Sequence, residues 1–594
     1  MAKIREVTPE VTLFLRSIGL SNYYIVKIFD LVGESAIGLT EDNPYWLLEE
    51  FPRMGFAKVD AIAKTLGFGD ENRYRVEAGI AILMKKYASE GHSFAFYKDL
   101  CRETAENLQI NSELVEDVTE DMVFDGRLQL ADVNGVRAVY FYGYYKAECS
   151  VAGKLARLEN PQGGLKPVGG NIEALIAKTE AQSAVELSSE QKEAVRNALL
   201  SGVSIITGGP GTGKTTIINT LISIVEGSGL KAAVAAPTGR AAKRIMETSG
   251  HFACTVHRLL EFFYDEETRY MAFGRNAEKP LTQDVVIIDE ASMLDLLLAE
   301  ALCNALKPGT RLILVGDADQ LPSVGAGNVL ADLIDSEFFF TSALTHIYRQ
   351  SEQSGIVINA HRINSGDYPK FGEDFRLVKA DKHEEILRKI VDISSEIPKE
   401  RLQVLTPTKK GLIGSISLNE HLQKTFNPPS EEKDELKFGS TVFRVGDRVM
   451  QNKNDYHIEY KAAGNEKASG KGVFNGEIGT VAAVDKEMKT VTVVYDDTRW
   501  VEYPYIQLDE LELAYAITVH KSQGSEFPVV ILPMSWFPPV LATRSLLYTA
   551  VTRGKEDVVI VGNPQYMNGM VDNNRSKSRN SGLKARIVGM CGLM

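Results

Sequence analysis

The chain has 594 residues, 44% of them hydrophobic and 24% charged, and a formal net charge of −13 at pH 7; at roughly 150 residues per domain that length points to about four domains, not one core. No apolar run reaches the roughly 18 residues of a bilayer span, no signal core follows the first residues, and the acidic balance argues against coating nucleic acid by bulk attraction, so a cytoplasmic protein without membrane contact is expected. The scattered cysteines Cys101, Cys149, Cys254, Cys303 and Cys591 form no C-x-x-C pair, which excludes a disulfide framework and a zinc site from expectation.

From residue 11 to about 68 the sequence predicts short helices broken at Gly19, Gly33, Gly38, Pro44, Pro52 and Gly55. Gly55 stands between an apolar residue and a new helix, with Ala57 and Ala61 small enough for close packing. This resembles a helix-hairpin-helix unit, whose backbone N–H groups grip a DNA phosphate without reading sequence. Phe56 or Ala57 replaces the second glycine of that hairpin, and a purely structural helix pair is the alternative. Residues 73–90 continue as helix, 104–145 mix helical and strand-like pieces, and 163–170 read as a linker.

An apolar run at 203–207, the loop Gly208-Gly209-Pro210-Gly211-Thr212-Gly213-Lys214-Thr215-Thr216 and a helical pattern at 217–225 form strand, G-x-x-x-x-G-K-T and helix in order. Glycines let the loop wrap with its N–H groups turned on phosphate oxygens, and the helix N-terminus adds partial positive charge. Lys214 is expected to neutralise the β- and γ-phosphates, and Thr215 to hold Mg²⁺ through its hydroxyl.

A second strand, 231–236, leads into Pro237-Thr238-Gly239-Arg240-Ala241-Ala242-Lys243-Arg244. A strand end feeding a helix in a parallel sheet is where ligands bind, and a hydroxyl, a glycine backbone and three cations suit a phosphodiester chain better than a nucleotide. Thr255-Val256-His257-Arg258 continues that chemistry, with His257 able to hydrogen-bond or stack. A third strand, 285–288, ends in Asp289-Glu290, the pattern of an Mg²⁺-holding aspartate and a glutamate that orients or deprotonates the attacking water. After a fourth, 311–315, Gln320 is placed to sense the γ-phosphate and Asp317 to help set the metal shell.

Later boxes follow in order: Ile347-Tyr348-Arg349-Gln350, Leu405-Thr406-Pro407-Thr408, Asn454-Asp455-Tyr456, Thr518-Val519-His520-Lys521-Ser522-Gln523-Gly524-Ser525-Glu526-Phe527, and Leu547-Tyr548-Thr549-Ala550-Val551-Thr552-Arg553. Together with the earlier ones they resemble superfamily 1 DNA helicases of the RecD type from about 187 to 583, and the N-terminal helical region is similar to that of the stand-alone members. The resemblance implies an α/β chain of two RecA-like P-loop motor domains with an inserted small SH3-like β-barrel and an N-terminal helix-hairpin-helix-like region. Expected boundaries are 1–100 for the helical region, 101–180 for a mixed connector and 181–345 for the first motor domain, with a hairpin at about 261–281. The second motor domain takes 346–442 and 512–594, around a barrel at 443–511. Apolar β runs at 402–405, 529–532 and 558–561 support the second motor domain independently. An additional N-terminal domain that such proteins often carry is expected to be absent.

The implied activity is that of an ATP-dependent DNA helicase, a monomer moving 5′ to 3′ on single-stranded DNA and unwinding duplex junctions in repair, recombination or replication. ATP and Mg²⁺ are the implied cofactors. The ATP site comprises Gly208, Gly209, Pro210, Gly211, Thr212, Gly213, Lys214, Thr215 and Thr216, with Gln191 reading the adenine edge; Ser188-x-x-Gln191 fits a capping box equally well. Thr215 and Asp289 hold the metal, and Lys214, Glu290, Gln320, Arg349 and Arg553 carry catalysis, the two arginines meeting the γ-phosphate. DNA contacts fall to Pro237, Thr238, Gly239, Arg240, Thr255, His257, Thr406, Pro407, His520, Lys521, Ser522 and Gln523. The family uses the hairpin near 261–280 to part the duplex, whereas in isolation it reads as a surface loop. Basic residues at 575–586 read as a solvated tail or as a DNA-phosphate segment. Rival readings are the RecD subunit of a multi-protein nuclease and the helicase module of a conjugative relaxase, the latter lacking its H-x-H triad here.

Overall fold

The computed structural model describes residues 7–591 apart from 163, 266–269, 347–353, 463–464, 497 and 576–578. Chain contacts divide it into two compact units: Met1–Cys149 with Val324–Gly327 and Asn580–Ala585, and Ser150–Ser323 with Asn328–Arg579 and Arg586–Met594.

In the first unit, helices Pro9–Ser17, Asn22–Val32, Ala36–Asp42, Leu47–Glu50 and Phe56–Thr65 bury Leu15, Ile25, Ile28, Leu47 and Val59 in one cluster. Gly55, at φ +75°, makes the left-handed turn into Phe56–Thr65 that a Cβ would strain. Buried Arg75 donates to Asp60 at 2.8 Å, and Tyr45 Oη reaches the same carboxylate at 2.6 Å, so one charge pins three segments. Helices Tyr97–Leu108 and Ser112–Phe124 then pack with a three-stranded antiparallel sheet in the order Phe94–Phe96, Val136–Phe141, Leu128–Val133. The boundary expected at residue 100 is thereby corrected. It would cut the helix Tyr97–Leu108, whose Leu100 and Cys101 share a core with Val76 and Ile80.

The second unit holds two parallel sheets. Six strands run in the order Phe340–Leu344, Val203–Gly208, Arg311–Gly316, Val285–Ile288, Ala232–Ala236, Ala253–Thr255. Five run in the order Phe375–Lys379, Gly554–Gly562, Phe527–Met534, Leu402–Thr406, Ala516–Thr518. Their central strands are continuous apolar runs because both faces are covered: all four residues of Val285–Ile288 are buried. In each sheet the strands' carboxyl ends open onto the loops that carry the motifs, the ligand-binding edge of an open α/β sheet.

Between strands of the second sheet the chain forms a seven-stranded antiparallel sheet, Asn465–Val473, Asp455–Ala462, Arg499–Pro504, Thr490–Tyr495, Ile478–Asp485, Arg448–Gln451, Leu511–Leu513, which buries Tyr495 and Tyr503, whose hydroxyls meet at 2.9 Å. The expected limits 443 and 511 both fall inside strands, Thr441–Arg444 and Leu511–Leu513. The insertion begins earlier, at Glu435–Phe438, which pairs with Thr441–Arg444. A hairpin pairs Phe262–Asp265 with Tyr270–Phe273, within the segment 261–281. Among the described residues no helix is long and apolar enough to cross a membrane, and no group of three His, Cys, Asp or Glu side chains is placed to hold a metal.

Candidate active site

Gly208 ends the strand that lies between Arg311–Gly316 and Phe340–Leu344, and it has no room for a side chain: a Cβ there would stand 2.8 Å from Thr212 Oγ1 and 2.9 Å from Leu344 Cβ. Gly211 (φ +75°) and Gly213 (φ +80°) supply the left-handed backbone that curls the loop. Lys214 opens the helix Lys214–Gly227 and donates to the carbonyls of Gly208 (2.6 Å) and Gly209 (2.9 Å), which holds its ammonium over the curl. Gln191 is 2% exposed and forms the capping box: its Oε1 accepts from Ser188 N at 3.0 Å. Its Nε2 donates to Thr212 O at 3.2 Å, so the side chain braces the loop from behind.

The loop faces a cleft of about 350 Å³ between the two parallel sheets, lined also by Arg244, Asp289, Glu290 and Gln320 from the first sheet's side and by Glu526, Thr552 and Arg553 from the second's. Asp289 and Glu290 leave the end of Val285–Ile288. Glu290 takes a left-handed backbone (φ +53°), a costly conformation for a side chain with a Cβ and one that accumulates at functional sites. Burial first, and the neighbouring Glu290 charge second, push the Asp289 carboxyl up to about 6, with Lys214 pulling the other way. Buried Asp317 is raised by the same loss of water, and it accepts hydrogen bonds from Tyr548 Oη (2.8 Å) and Gln320 Nε2 (3.1 Å). Tyr548 belongs to the helix Arg544–Val551 of the second half, so this triad spans the cleft. Two more bonds join the halves: Leu321 N donates to Thr549 Oγ1 (2.8 Å), and Gln523 Nε2 to Leu321 O (2.9 Å).

Arg553, 2% exposed, donates to Ser525 O (3.0 Å), Thr549 O (3.1 Å) and Thr552 Oγ1 (3.2 Å). All three partners lie on its own side, which fixes the guanidinium as part of the cleft wall. Arg349 lies outside the described residues. Two cleft residues were missing from the expected set, Arg244 and Glu526. Arg244 Nη2 pairs with Glu526 Oε1, and its Nη1 is 3.7 Å from Glu290 Oε1. The sequence alone suggests a phosphodiester for the Arg244 segment; the signal that marks Arg244 as well is its four-residue spacing from Arg240, which sets both arginines on one helix face.

A second groove, of about 320 Å³, has Gly239, Arg240, Thr255 and Arg258 on one wall and Tyr460, Phe474 and Arg499 of the inserted sheet on the other. Thr238 caps the helix Gly239–Ser249 by accepting from Ala241 N at 3.3 Å. The Arg240 guanidinium lies 5.2 Å from the Phe527 ring, and burial foremost pushes it down to about 9. His257 is packed against the hairpin base, 5.1 Å from Phe262 and 6.0 Å from Phe273, and burial lowers it. Four of the residues expected to touch DNA are turned inward. Thr406 and Pro407 are buried, and Thr406 Oγ1 donates to Ile413 O at 2.9 Å; Ser522 and Gln523 are buried, donating to Val519 O (2.7 Å) and Leu321 O (2.9 Å). These boxes follow strands inside the five-stranded sheet, so their hydroxyls and amide satisfy loop carbonyls and face no solvent. His520 is half-buried and lowered by burial and then by Arg579, while Lys521 donates to Glu512 at 2.5 Å. Arg579 is no solvated tail residue: its Nη2 donates to Ser323 O at 2.7 Å.

Family models match four stretches: the ATP-dependent RecD2 DNA helicase HHH domain at residues 5–94, an AAA domain at 191–326, the ATP-dependent RecD-like DNA helicase SH3 domain at 418–495, and the UvrD-like helicase C-terminal domain at 513–561. The chain is 30% identical over 555 residues to the ATP-dependent RecD2 DNA helicase of Deinococcus radiodurans, covering 91% of this chain and 73% of that one. It is 31% identical over 441 residues to the RecBCD enzyme subunit RecD of Mycolicibacterium smegmatis, covering 67% and 74%. Among solved structures, a Bacteroides Pif1 helicase in complex with ADP-AlF3 and single-stranded DNA superposes with a TM-score of 0.39 at 23% identity, covering 63% of this chain and 92% of that one, a likeness too loose to build on.

Proposed function

Because this chain belongs to the RecD-like superfamily 1 DNA helicases, enzymes that hydrolyse ATP, we propose that it steps 5′ to 3′ along single-stranded DNA and splits duplex junctions during repair, recombination or replication. The observation that carries this reading is the cleft in which the phosphate loop of one parallel sheet faces Arg553 of the other. In it Lys214 neutralises the terminal phosphates, Glu290 accepts a proton from the attacking water, and Gln320, held by Asp317, aligns that water. Arg553 stabilises the charge that spreads over the γ-phosphate oxygens, and Arg349 is proposed as its companion on the family resemblance alone.

Thr215 and Asp289 fit Mg²⁺, since a hydroxyl and a water-poor carboxylate are the hard oxygen donors it takes beside substrate phosphates. Bound there, the ion supplies charge neutralisation at the phosphates. Single-stranded DNA is placed along the groove of Gly239, Arg240 and Thr255, where cations and the aromatic side chains Tyr460 and Phe474 serve backbone and bases without regard to sequence. Nucleotide-driven closing and opening of the cleft moves one sheet's grip relative to the other's. The match of residues 5–94 to a RecD2 domain favours a protein that works alone over a nuclease subunit.

The deciding measurement is ATPase with and without single-stranded DNA, together with unwinding of duplexes bearing a 5′ or a 3′ tail by the lone, size-fractionated polypeptide. DNA-stimulated turnover and unwinding from the 5′ tail are expected. Unwinding from the 3′ tail alone refutes the polarity, and turnover without unwinding refutes the stand-alone role.

A further inference from the structure

The helix Gly239–Ser249 holds two guanidinium groups against two consecutive residues of the other half of the motor. Arg240 covers the Phe527 ring at 5.2 Å, and one turn later Arg244 pairs with Glu526. Arg240 is also a wall of the groove beside the inserted sheet, and Arg244 a wall of the phosphate-loop cleft. The same helix face therefore touches both candidate sites and the 526–527 segment.

Arg244 stands between two carboxylates. Its Nη2 is committed to Glu526, which also accepts from Lys555 Nζ at 3.1 Å, and its Nη1 is 3.7 Å from Glu290 Oε1. Glu526 belongs to the second half and Glu290 to the first. Any movement that withdraws residues 526–527 from the helix removes one partner from Arg244 and leaves Glu290 as the nearest carboxylate. A guanidinium bonds a carboxylate strongly and often through two donors, so the oxygen that has to face the water becomes occupied. We propose that Arg244 is a positioning residue switched between Glu526 and Glu290. When the halves are engaged, Glu526 draws the arginine away and frees the base; when they part, Arg244 takes hold of Glu290 and hydrolysis stops. Arg240 and Phe527 tie the switch to the groove assigned to DNA, so strand binding and hydrolysis are coupled through one helical turn.

This rests on Glu290 acting as the base, and the test separates the two ideas. Measured quantities are kcat with and without oligo-dT, and the Kd of a fluorescent ATP analogue. Glu526→Gln is expected to lower DNA-stimulated kcat by about tenfold with nucleotide Kd unchanged within about twofold, and adding Arg244→Gln to return kcat to the level of Arg244→Gln alone, a strongly non-additive cycle. Arg244→Gln by itself is expected to raise the DNA-free rate, so that the stimulation ratio falls. Additive losses, a Glu526→Gln effect confined to nucleotide Kd, or an Arg244→Gln that lowers both rates alike would overturn the switch. Arg244 is partly exposed, so the single variant keeps the test available if Glu526→Gln fails to fold. Glu290→Gln reports on the premise: wild-type turnover there refutes the base, whereas an inactive Glu290→Gln beside an additive cycle refutes only the switch.

Discussion

Arg553 is held by three acceptors from its own half of the motor, and that geometry makes its effect on chemistry separable from nucleotide affinity. Arg553→Ala is expected to keep nucleotide Kd within a few-fold, because binding comes from the phosphate loop, and to lose about 10³-fold in kcat. Arg553→Lys should rescue poorly, since an ammonium has no planar fork; an unchanged kcat in Arg553→Ala removes the second half from the chemistry. Asp289 gives a pH signature. Burial raises its carboxyl from 3.8 to about 6 in the folded chain, so the fold favours the protonated acid, and the stability this confers below pH 4 is lost as pH rises through about 6. Without nucleotide or Mg²⁺, Asp289→Asn should therefore be the more stable protein at pH 7, by about 1–3 kcal/mol, and lose that advantage near pH 4. Thermal melting across that range checks the sign; parallel curves for the two proteins count against a water-poor Asp289.

The hairpin and the inserted sheet show how differently two elements are written in a chain. Phe262 pairs with Phe273 across the hairpin, and His257 packs on both, so the base is braced by aromatic contact. Replacing residues 264–277 by a short glycine-serine turn is expected to leave DNA-stimulated ATPase largely intact and to abolish unwinding. Equal loss of both makes the segment part of the strand track. The hairpin's position was legible because its aromatics flank a polar stretch in one short window. The limits of the inserted sheet were not: Leu511–Leu513 pairs with Arg448–Gln451, some sixty residues away, and pairing at that separation leaves no local periodicity. The ring partners of His257, Phe262 and Phe273, likewise come from strands beyond its own helix.

At the scale of the whole motor, the hydrogen bonds that join the two parallel sheets around the cleft include Tyr548 to Asp317, Leu321 to Thr549, and Gln523 to Leu321. Thr549→Val combined with Gln523→Ala removes two of these while sparing the phosphate loop. DNA-free turnover should stay within a few-fold of wild type and stimulation by single strands should fall about tenfold; undiminished stimulation shows that the halves are coupled elsewhere. The sequence by itself determined the phosphate loop, the Asp289-Glu290 pair and the strand runs that carry them, because backbone-wrapped phosphates and doubly buried strands impose short, contiguous patterns. It determined the family for the same reason, through the order of such patterns. Only the tertiary structure decided where the polar residues of these boxes turn: Thr406, Ser522 and Gln523 point inward onto backbone carbonyls, while Arg244 and Glu526, 282 positions apart in the chain, meet in the cleft. A side chain's partner is set by packing between sheets, and no stretch of neighbouring residues records it.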